Sequence, residues 1–271
     1  MIAGFPDAAR LPPRPLVGFG QPDPMGDPSR DDGAMTLGAT RTQILIGKSG
    51  ASVVRVQRED GLEWIEKTGS PAEIDFETAV LEWCAGNLPV AKVLGKDAGF
   101  LAMSALPGVN LTETSMERAA QIIAEALHLI HATPIDRCPF MARWALRLSQ
   151  GELRVRAGLV DESDFDEANL GRSPTDILAE LQSLPALPDL MCFTHGDACL
   201  PNFLTQDGQL TGIVDLARAG VTHPTQDWAL ALRSIRDNFG PDGERLLRKH
   251  LPDHSADEEL LRRFLLLDEL F

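Results

Sequence analysis

Hydrophobic and polar positions divide this chain into short alternating stretches followed by longer helical ones. Thr42–Ile46, Val53–Gln57 and Leu62–Thr68 read as strands, separated by Gly47–Ser52 and by Asp60-Gly61. Ser70-Pro71-Ala72-Glu73 then opens a helix with a capping box and proline in its first turn. Ile74, Leu81 and Cys84 form the apolar stripe of that helix, and Glu77 falls on the same stripe. Leu88–Leu94 and Phe100–Met103 return to strand patterns before Ser104–Gly108, which reads as a linker. Thr114–Glu117 is a second capping box, leading a helix with Ile122, Ile123, Ala126, Leu127 and Ile130 on one side. Residues 141–157 form a basic helical stretch carrying Arg143, Arg147, Arg154 and Arg156, read as a solvated face. Ser173–Asp176 caps a further helix, Gln226–Asn238 is helical with Trp228, Leu232 and Ile235 on one face, and Arg263–Phe271 is an amphipathic helix. The elements together predict an α+β chain.

Three short apolar runs carry the chemistry. Leu190–Phe193 breaks at His195-Gly196-Asp197, Phe203-Leu204 leads to Asp207-Gly208, and Leu210–Val214 ends at Asp215. Asp-Gly between apolar runs signals a hairpin. A two-residue turn there sets Asn202 opposite Ile213, with Asp215 two residues on and pointing the same way. Such diagonal neighbours lie on the order of 7 Å apart. An amide oxygen and a carboxylate at that separation suit one hard cation. Asp197, five positions before Asn202, is the candidate base. Similarly, a turn at Asp60-Gly61 sets Lys67 opposite Val54, on the apolar face with Ile65 and Val56. A lysine there needs an anionic partner, and Glu77 is the candidate.

Composition narrows the partners. The formal net charge of -15 over 271 residues argues against nucleic acid, which requires a basic footprint, and is compatible with a cationic ligand. Cys84, Cys138, Cys192 and Cys199 form no Cys-x-x-Cys pair, so zinc and disulfide readings are weak and a reducing cytoplasm is the expected setting. No apolar run approaches membrane-spanning length. Residues 1–35 are rich in proline, glycine and aspartate and are expected to be disordered, with Met35 a candidate natural start.

His195-Gly196-Asp197 stands where protein kinases carry His-Arg-Asp, with an asparagine and a second aspartate at kinase spacing. The block His195–Asn202, HGDACLPN, closely resembles the aminoglycoside 3'-phosphotransferases, closely over about 119–271 and by pattern over about 42–118. The resemblance implies a two-lobed, protein-kinase-like fold: a nucleotide-binding lobe over 36–103 with a small antiparallel sheet and a helix, a hinge at 104–108, and a mostly helical catalytic lobe over 109–271. It implies ATP as phosphoryl donor, with GTP possible, and Mg²⁺ held by Asn202 and Asp215. Asp197 would orient the acceptor hydroxyl, Lys67 fixed by Glu77 would steady the phosphates, and the loop around Ser49 would cover them. Ser104 C=O and Leu106 N–H would hold adenine. The acceptor implied is the 3'-hydroxyl of a polycationic aminoglycoside of the kanamycin or neomycin type, giving antibiotic resistance. Its site residues would be Asp166, Glu167, Arg218, Arg233, Asp268, Glu269 and Phe271, the last through its carboxylate. Ser234 follows Arg233 where relatives carry an acid, and Asp237 is the candidate substitute. Asp227, His128 and His131 read as structural. The competing readings are a kinase of the same fold acting on choline, homoserine, a fructosamine or a macrolide, a non-catalytic binding module, and a metal hydrolase using His195, Asp197 and Asp215. Monomer and dimer stay open.

Overall fold

The computed structural model describes residues 39–44 and 51–271; the expected disorder of 1–35 and the site residue Ser49 lie outside them. The first elements are β1 (Ala39–Ile44), β2 (Ser52–Arg58), β3 (Glu63–Thr68), α1 (Pro71–Cys84), β4 (Val93–Asp97) and β5 (Phe100–Ser104). They form an antiparallel sheet in the order β1-β2-β3-β5-β4. Then come β6 (Val109–Asn110), α2 (Met116–His131), α3 (Trp144–Ala157), α4 (Pro174–Ser183), β7 (Cys192–Thr194), β8 (Phe203–Gln206), β9 (Gln209–Ile213), β10 (Gly220–Thr222), α5 (Thr225–Arg248) and α6 (Glu258–Asp268). Two small sheets, β10-β7 and β6-β8-β9, sit among these helices.

Helix α1 starts as expected: the Ser70 hydroxyl accepts from Glu73 N–H, and Ile74, Glu77, Leu81 and Cys84 are buried. The box is half made, because the Glu73 carboxylate takes the Ser70 hydroxyl at 2.8 Å rather than the backbone. Helix α2 begins one residue later than expected. Ser115, not Thr114, is its cap, and the residue three further on is Arg118, so no capping box forms. At Ser173 the box is complete, with Asp176 reciprocating.

Both registers read from the sequence shift by one residue. Arg58 N–H reaches Leu62 O at 2.9 Å and Gly61 adopts φ +86°, so the first turn is a three-residue loop, Glu59-Asp60-Gly61. Lys67 therefore lies opposite Val53, sharing its face with Ile65 but not with Val56. The second turn is the two-residue one expected, with Asp207 at φ 52° and Gly208 at φ 77°. A bulge then makes Leu204 face Gly212 while Thr205 faces Leu210, so Thr211 is the extra residue. Asn202 consequently exchanges with Val214, whose N–H reaches Asn202 O at 3.0 Å, rather than with Ile213. The expected strand at Leu88–Leu94 is also moved: β4 starts at Val93, and Pro89 and Val90 instead bridge to Ile213 of the hairpin.

One contiguous apolar core joins the parts. It takes in Ile74 and Leu81 of α1, Leu101 of β5, Ile122 and Ile130 of α2, Phe193, Phe203 and Trp228. Trp83 packs on Phe193 at 4.8 Å between ring centroids, tying α1 to the strand that leads to His195. Complete burial of such side chains contributes roughly 1.5–3 kcal/mol each. A second cluster, with Phe165, Ile177, Leu181, Leu266, Leu267 and Leu270, lies beneath the acidic loop.

Candidate active site

Strand β7 delivers the chain to His195, and the loop beyond it is held from three sides. Asp227, fully buried near the start of α5, accepts His195 N–H at 2.8 Å, Gly196 N–H at 2.9 Å and pairs with His131 Nε2 at 3.0 Å. Gly196 sits at φ +83°, and a Cβ there would lie 2.0 Å from Arg218 O, so only glycine fits. The buried His195 ring accepts Asp197 N–H at Nδ1 (3.2 Å) and lies 2.9 Å from Val214 O at Nε2. That assigns the neutral tautomer with its proton on Nε2, and it ties the Asp197 loop to the strand ending at Asp215. On the third side the Ser234 hydroxyl accepts Leu200 N–H at 2.9 Å.

The candidate ligands follow. Asn202 donates its Nδ2 to Asp197 O at 2.9 Å, leaving Oδ1 as its lone-pair donor. Asp215 adopts φ 59°, a left-handed conformation costly for a residue with a side chain. Lys67 Nζ lies 2.7 Å from Glu77 Oε2 and 2.9 Å from Asp215 Oδ1, with Lys67 and Glu77 both buried. Burial alone would push the Lys67 ammonium down, but the two carboxylates outweigh it and hold its pKa above the usual lysine value. Likewise burial would raise Asp215, and the ammonium of Lys67 prevails and holds it low. Asp197, the candidate base, receives the Cys199 thiol at its Oδ1, 3.1 Å away.

These residues fit magnesium. Asn202 and Asp215 offer two hard oxygen donors, and no group of three or more His, Cys, Asp or Glu among the described residues is arranged to hold a metal. Magnesium is held by few protein oxygens and completes its shell with phosphate oxygens and water. Ser104 ends β5 with its N–H on Lys92 O at 2.8 Å and its hydroxyl accepting Lys92 N–H. Leu106 is partly buried against the main core.

The residues expected at the acceptor form a different arrangement. Asp268 pairs with Arg218 at 3.0 Å and with Arg233, and Arg233 reaches Asp166 at 3.3 Å. Burial would raise Asp268, but Arg233 and Arg218 hold its carboxyl below the ordinary range. Glu269 is turned inward, accepting Asp166 N–H at 3.1 Å and Asn169 Nδ2 at 2.7 Å. Burial pushes its carboxyl upward. It thus holds the loop, and Asp166, Glu167 and Asp237 are the more open carboxylates on this side.

One reading of the sequence is overturned here, and one residue is newly placed. Ser234 faces not solvent but the loop of Asp197. It lies on the buried side of α5 with Asp227, Trp228, Ala231 and Ile235, and a hydroxyl on such a stripe demands a partner. Nor is the basic face of α3 simply solvated: the Arg147 guanidinium sits 3.8 Å from the centre of the Phe271 ring, and Arg154 donates to Leu270 O, Phe271 O and Leu159 O. Arg156, by contrast, is exposed as expected.

Residues 42–260 match the sequence pattern of the phosphotransferase enzyme family. The chain belongs to that family. Among its relatives, the aminoglycoside 3'-phosphotransferase of Niallia circulans is 32% identical over 87% of this chain and 94% of its own. That of Streptomyces ribosidificus is 34% identical over 83% and 93% respectively. The solved aminoglycoside-3'-phosphotransferase of type VIII superposes with a TM-score of 0.77 at 30% identity, covering 86% of this chain and 94% of the other. An aminoglycoside phosphotransferase from Streptomyces rimosus, solved with ADP and streptomycin, gives 0.71 at 26% identity, covering 83% and 93%. The α+β, two-lobed kinase-like fold and the resemblance read from HGDACLPN are borne out. The chain is a phosphotransferase, and neither the binding module nor the metal hydrolase is favoured. No helix among the described residues is long and apolar enough to cross a membrane.

Proposed function

We propose that this phosphotransferase moves the γ-phosphoryl group of ATP to the 3'-hydroxyl of a kanamycin- or neomycin-type aminoglycoside, acting in the cytoplasm and giving antibiotic resistance. The observation that carries the reading is the Lys67 ammonium seated between Glu77 and Asp215 beside the loop of Asp197. The relatives' activity on aminoglycosides and the nucleotide bound by the Streptomyces rimosus enzyme support it. We read 36–103 as the nucleotide lobe, 104–108 as the hinge, with Ser104 C=O and Leu106 N–H taking the purine edge, and 109–271 as the acceptor lobe.

Asp197 orients the acceptor hydroxyl and accepts its proton. The hydroxyl oxygen bonds to the γ-phosphorus as the bond to the bridging oxygen breaks, and ADP leaves. Lys67, fixed by Glu77, steadies the α- and β-phosphates. Held by Asn202 and Asp215, magnesium would neutralise the charge that builds on the phosphates. Asp166 and Glu167 meet the ammonium groups of the acceptor. Positioning and charge neutralisation account for most of such a catalytic effect.

The test is an acceptor screen on purified enzyme with ATP or GTP and Mg²⁺, across kanamycin, neomycin, streptomycin and choline. Phosphorylation of kanamycin and neomycin, with the phosphate located on the 3'-oxygen by NMR, is expected. Turnover of choline alone would replace the acceptor while leaving the transfer chemistry intact.

A further inference from the structure

The basic stretch of α3 has a use that the transfer mechanism does not absorb. Arg147, Gly151 and Arg154 are spaced i, i+4, i+7 and share one helical face. Gly151 is the one buried residue of α3, and a Cβ there would lie 2.8 Å from Leu270 Cδ1 and 3.3 Å from Leu270 Cβ. Leu270 is itself fully buried in the second apolar cluster. One turn further on, Arg154 donates Nε to Leu270 O at 2.8 Å and its terminal nitrogen to Phe271 O at 3.0 Å and Leu159 O at 2.9 Å. One turn back, the Arg147 guanidinium stands over the Phe271 ring, 3.8 Å from its centroid. Burial and the neighbouring Arg218 draw its pKa down to about 10, so it remains a cation at neutral pH. The three positions thus grip the side chain and carbonyl of Leu270, and the ring and a terminal carboxylate oxygen of Phe271.

The residues gripped directly follow Asp268 and Glu269. Asp268 holds Arg218 and Arg233, and Glu269 holds the loop through Asp166 N–H and Asn169. We propose that the Arg147–Gly151–Arg154 face of α3 is a positioning element of the acceptor site. It fixes residues 270–271, and through them sets where Asp268 and Glu269 place the two arginines and the acidic loop. The nucleotide end is attached chiefly elsewhere, through α1, β3 and the hairpin, and of the three positions Arg147 alone also lines a cavity with Ala72, Glu73 and Phe76 of α1. Strength of acceptor binding is therefore set separately from strength of nucleotide binding. This inference rests on the aminoglycoside reading above.

The experiment compares the parent enzyme with Arg154→Met, Arg147→Met, Arg147→Lys and, as control, Arg156→Met on the exposed side of α3. Each is measured for melting temperature and for kcat and KM with kanamycin and with ATP. Arg154→Met and Arg147→Met should raise the KM for kanamycin about tenfold while KM for ATP moves by less than about twofold. Arg147→Lys should recover part of the loss by keeping a cation on the ring, and Arg156→Met should match the parent. Unchanged kanamycin KM in folded variants, or an equal rise in both KM values, overturns the proposal. Should Arg154→Met fail to fold, the Arg147 pair decides by the same criteria. Absence of turnover with both kanamycin and neomycin in the parent would instead refute the aminoglycoside reading, and the same variants would then be read against whichever acceptor the screen returns.

Discussion

The proposed phosphoryl-transfer centre and the proposed acceptor wall are built by different means. Around Asp197 the chain is held by backbone groups: Asp227 takes two consecutive N–H groups, His195 links two segments, and Asn202 binds a carbonyl five residues back. Around Asp268 the ion pairs join side chains far apart in sequence, arginines 218 and 233 and Asp166, while Glu269 and helix α3 add bonds to the loop at 166–169 and to main-chain oxygens of residues 270 and 271. The first is covered by the main apolar core, the second by its own smaller cluster. A centre whose loop is fixed through its own backbone groups tolerates few changes. A wall made of ion pairs can be retuned residue by residue, which suits a surface that must fit one acceptor rather than another.

The largest effects should fall on the first region. Asp215→Ala removes a candidate metal ligand and one of two partners of Lys67, so turnover is expected to drop to background in a steady-state assay. Asp197→Asn should cost about 10²–10⁴ in kcat, the range typical of losing a general base, with KM for ATP little changed. Parental turnover in either variant would remove the centre from the mechanism.

The acceptor wall should respond in stability and with a marked pH dependence. Asp268→Asn strips one carboxylate from two arginines and is expected to cost about 2–4 kcal/mol at neutral pH. The folded pKa of Asp268 is depressed, so its contribution is fully present above the unfolded value of about 3.9 and is lost as pH falls through the folded value. The gap in melting temperature between parent and Asp268→Asn should therefore narrow as pH falls below the unfolded value. Glu269 has the opposite sign, because its folded pKa is raised. Its charged form is disfavoured in the fold, so acidification through that pKa relieves a cost. Glu269→Gln should thus be milder than Asp268→Asn at neutral pH. Equal losses at both positions would erase the distinction between an ion-paired and a loop-holding carboxylate.

The same division decides what the sequence could reveal. His195, Asp197, Asn202 and Asp215 lie within one stretch whose spacing is itself the signal, and Glu77 stands out as an acid on an apolar stripe. The registers of Lys67 and Asn202 each slipped by one residue. A three-residue loop cannot be told from a two-residue one by Asp-Gly alone, and the bulge at Thr211 was marked only by Gly212, an isolated glycine inside the strand. Long-range ion pairs leave still less trace. Neither Arg147 nor Arg154 itself announces that residues 270 and 271 lie against them, and a row of arginines on a helix is most simply a wet face. Gly151 was the available clue, since an interior helical glycine costs about 1 kcal/mol relative to alanine and calls for a packing reason.

Ser234 sharpens the comparison from the boundary between the two regions. It neighbours Arg233, which belongs to the acceptor wall, yet its hydroxyl accepts Leu200 N–H in the catalytic loop. Ser234→Ala would leave that buried N–H without a partner, a loss of about 1–3 kcal/mol, seen as a fall in melting temperature of roughly 2–4 °C per kcal/mol for a chain of this size. Because the loop carries Asp197 and Asn202, kcat should fall for every acceptor by a similar factor. Ser234→Asp keeps an acceptor for the N–H at the expense of burying a charge and should restore kcat more than stability. If Ser234→Ala instead changes the ranking of aminoglycosides while leaving kcat intact, the residue belongs to the wall, as its place in the sequence suggests, and the line between the two regions must be drawn one residue further along α5.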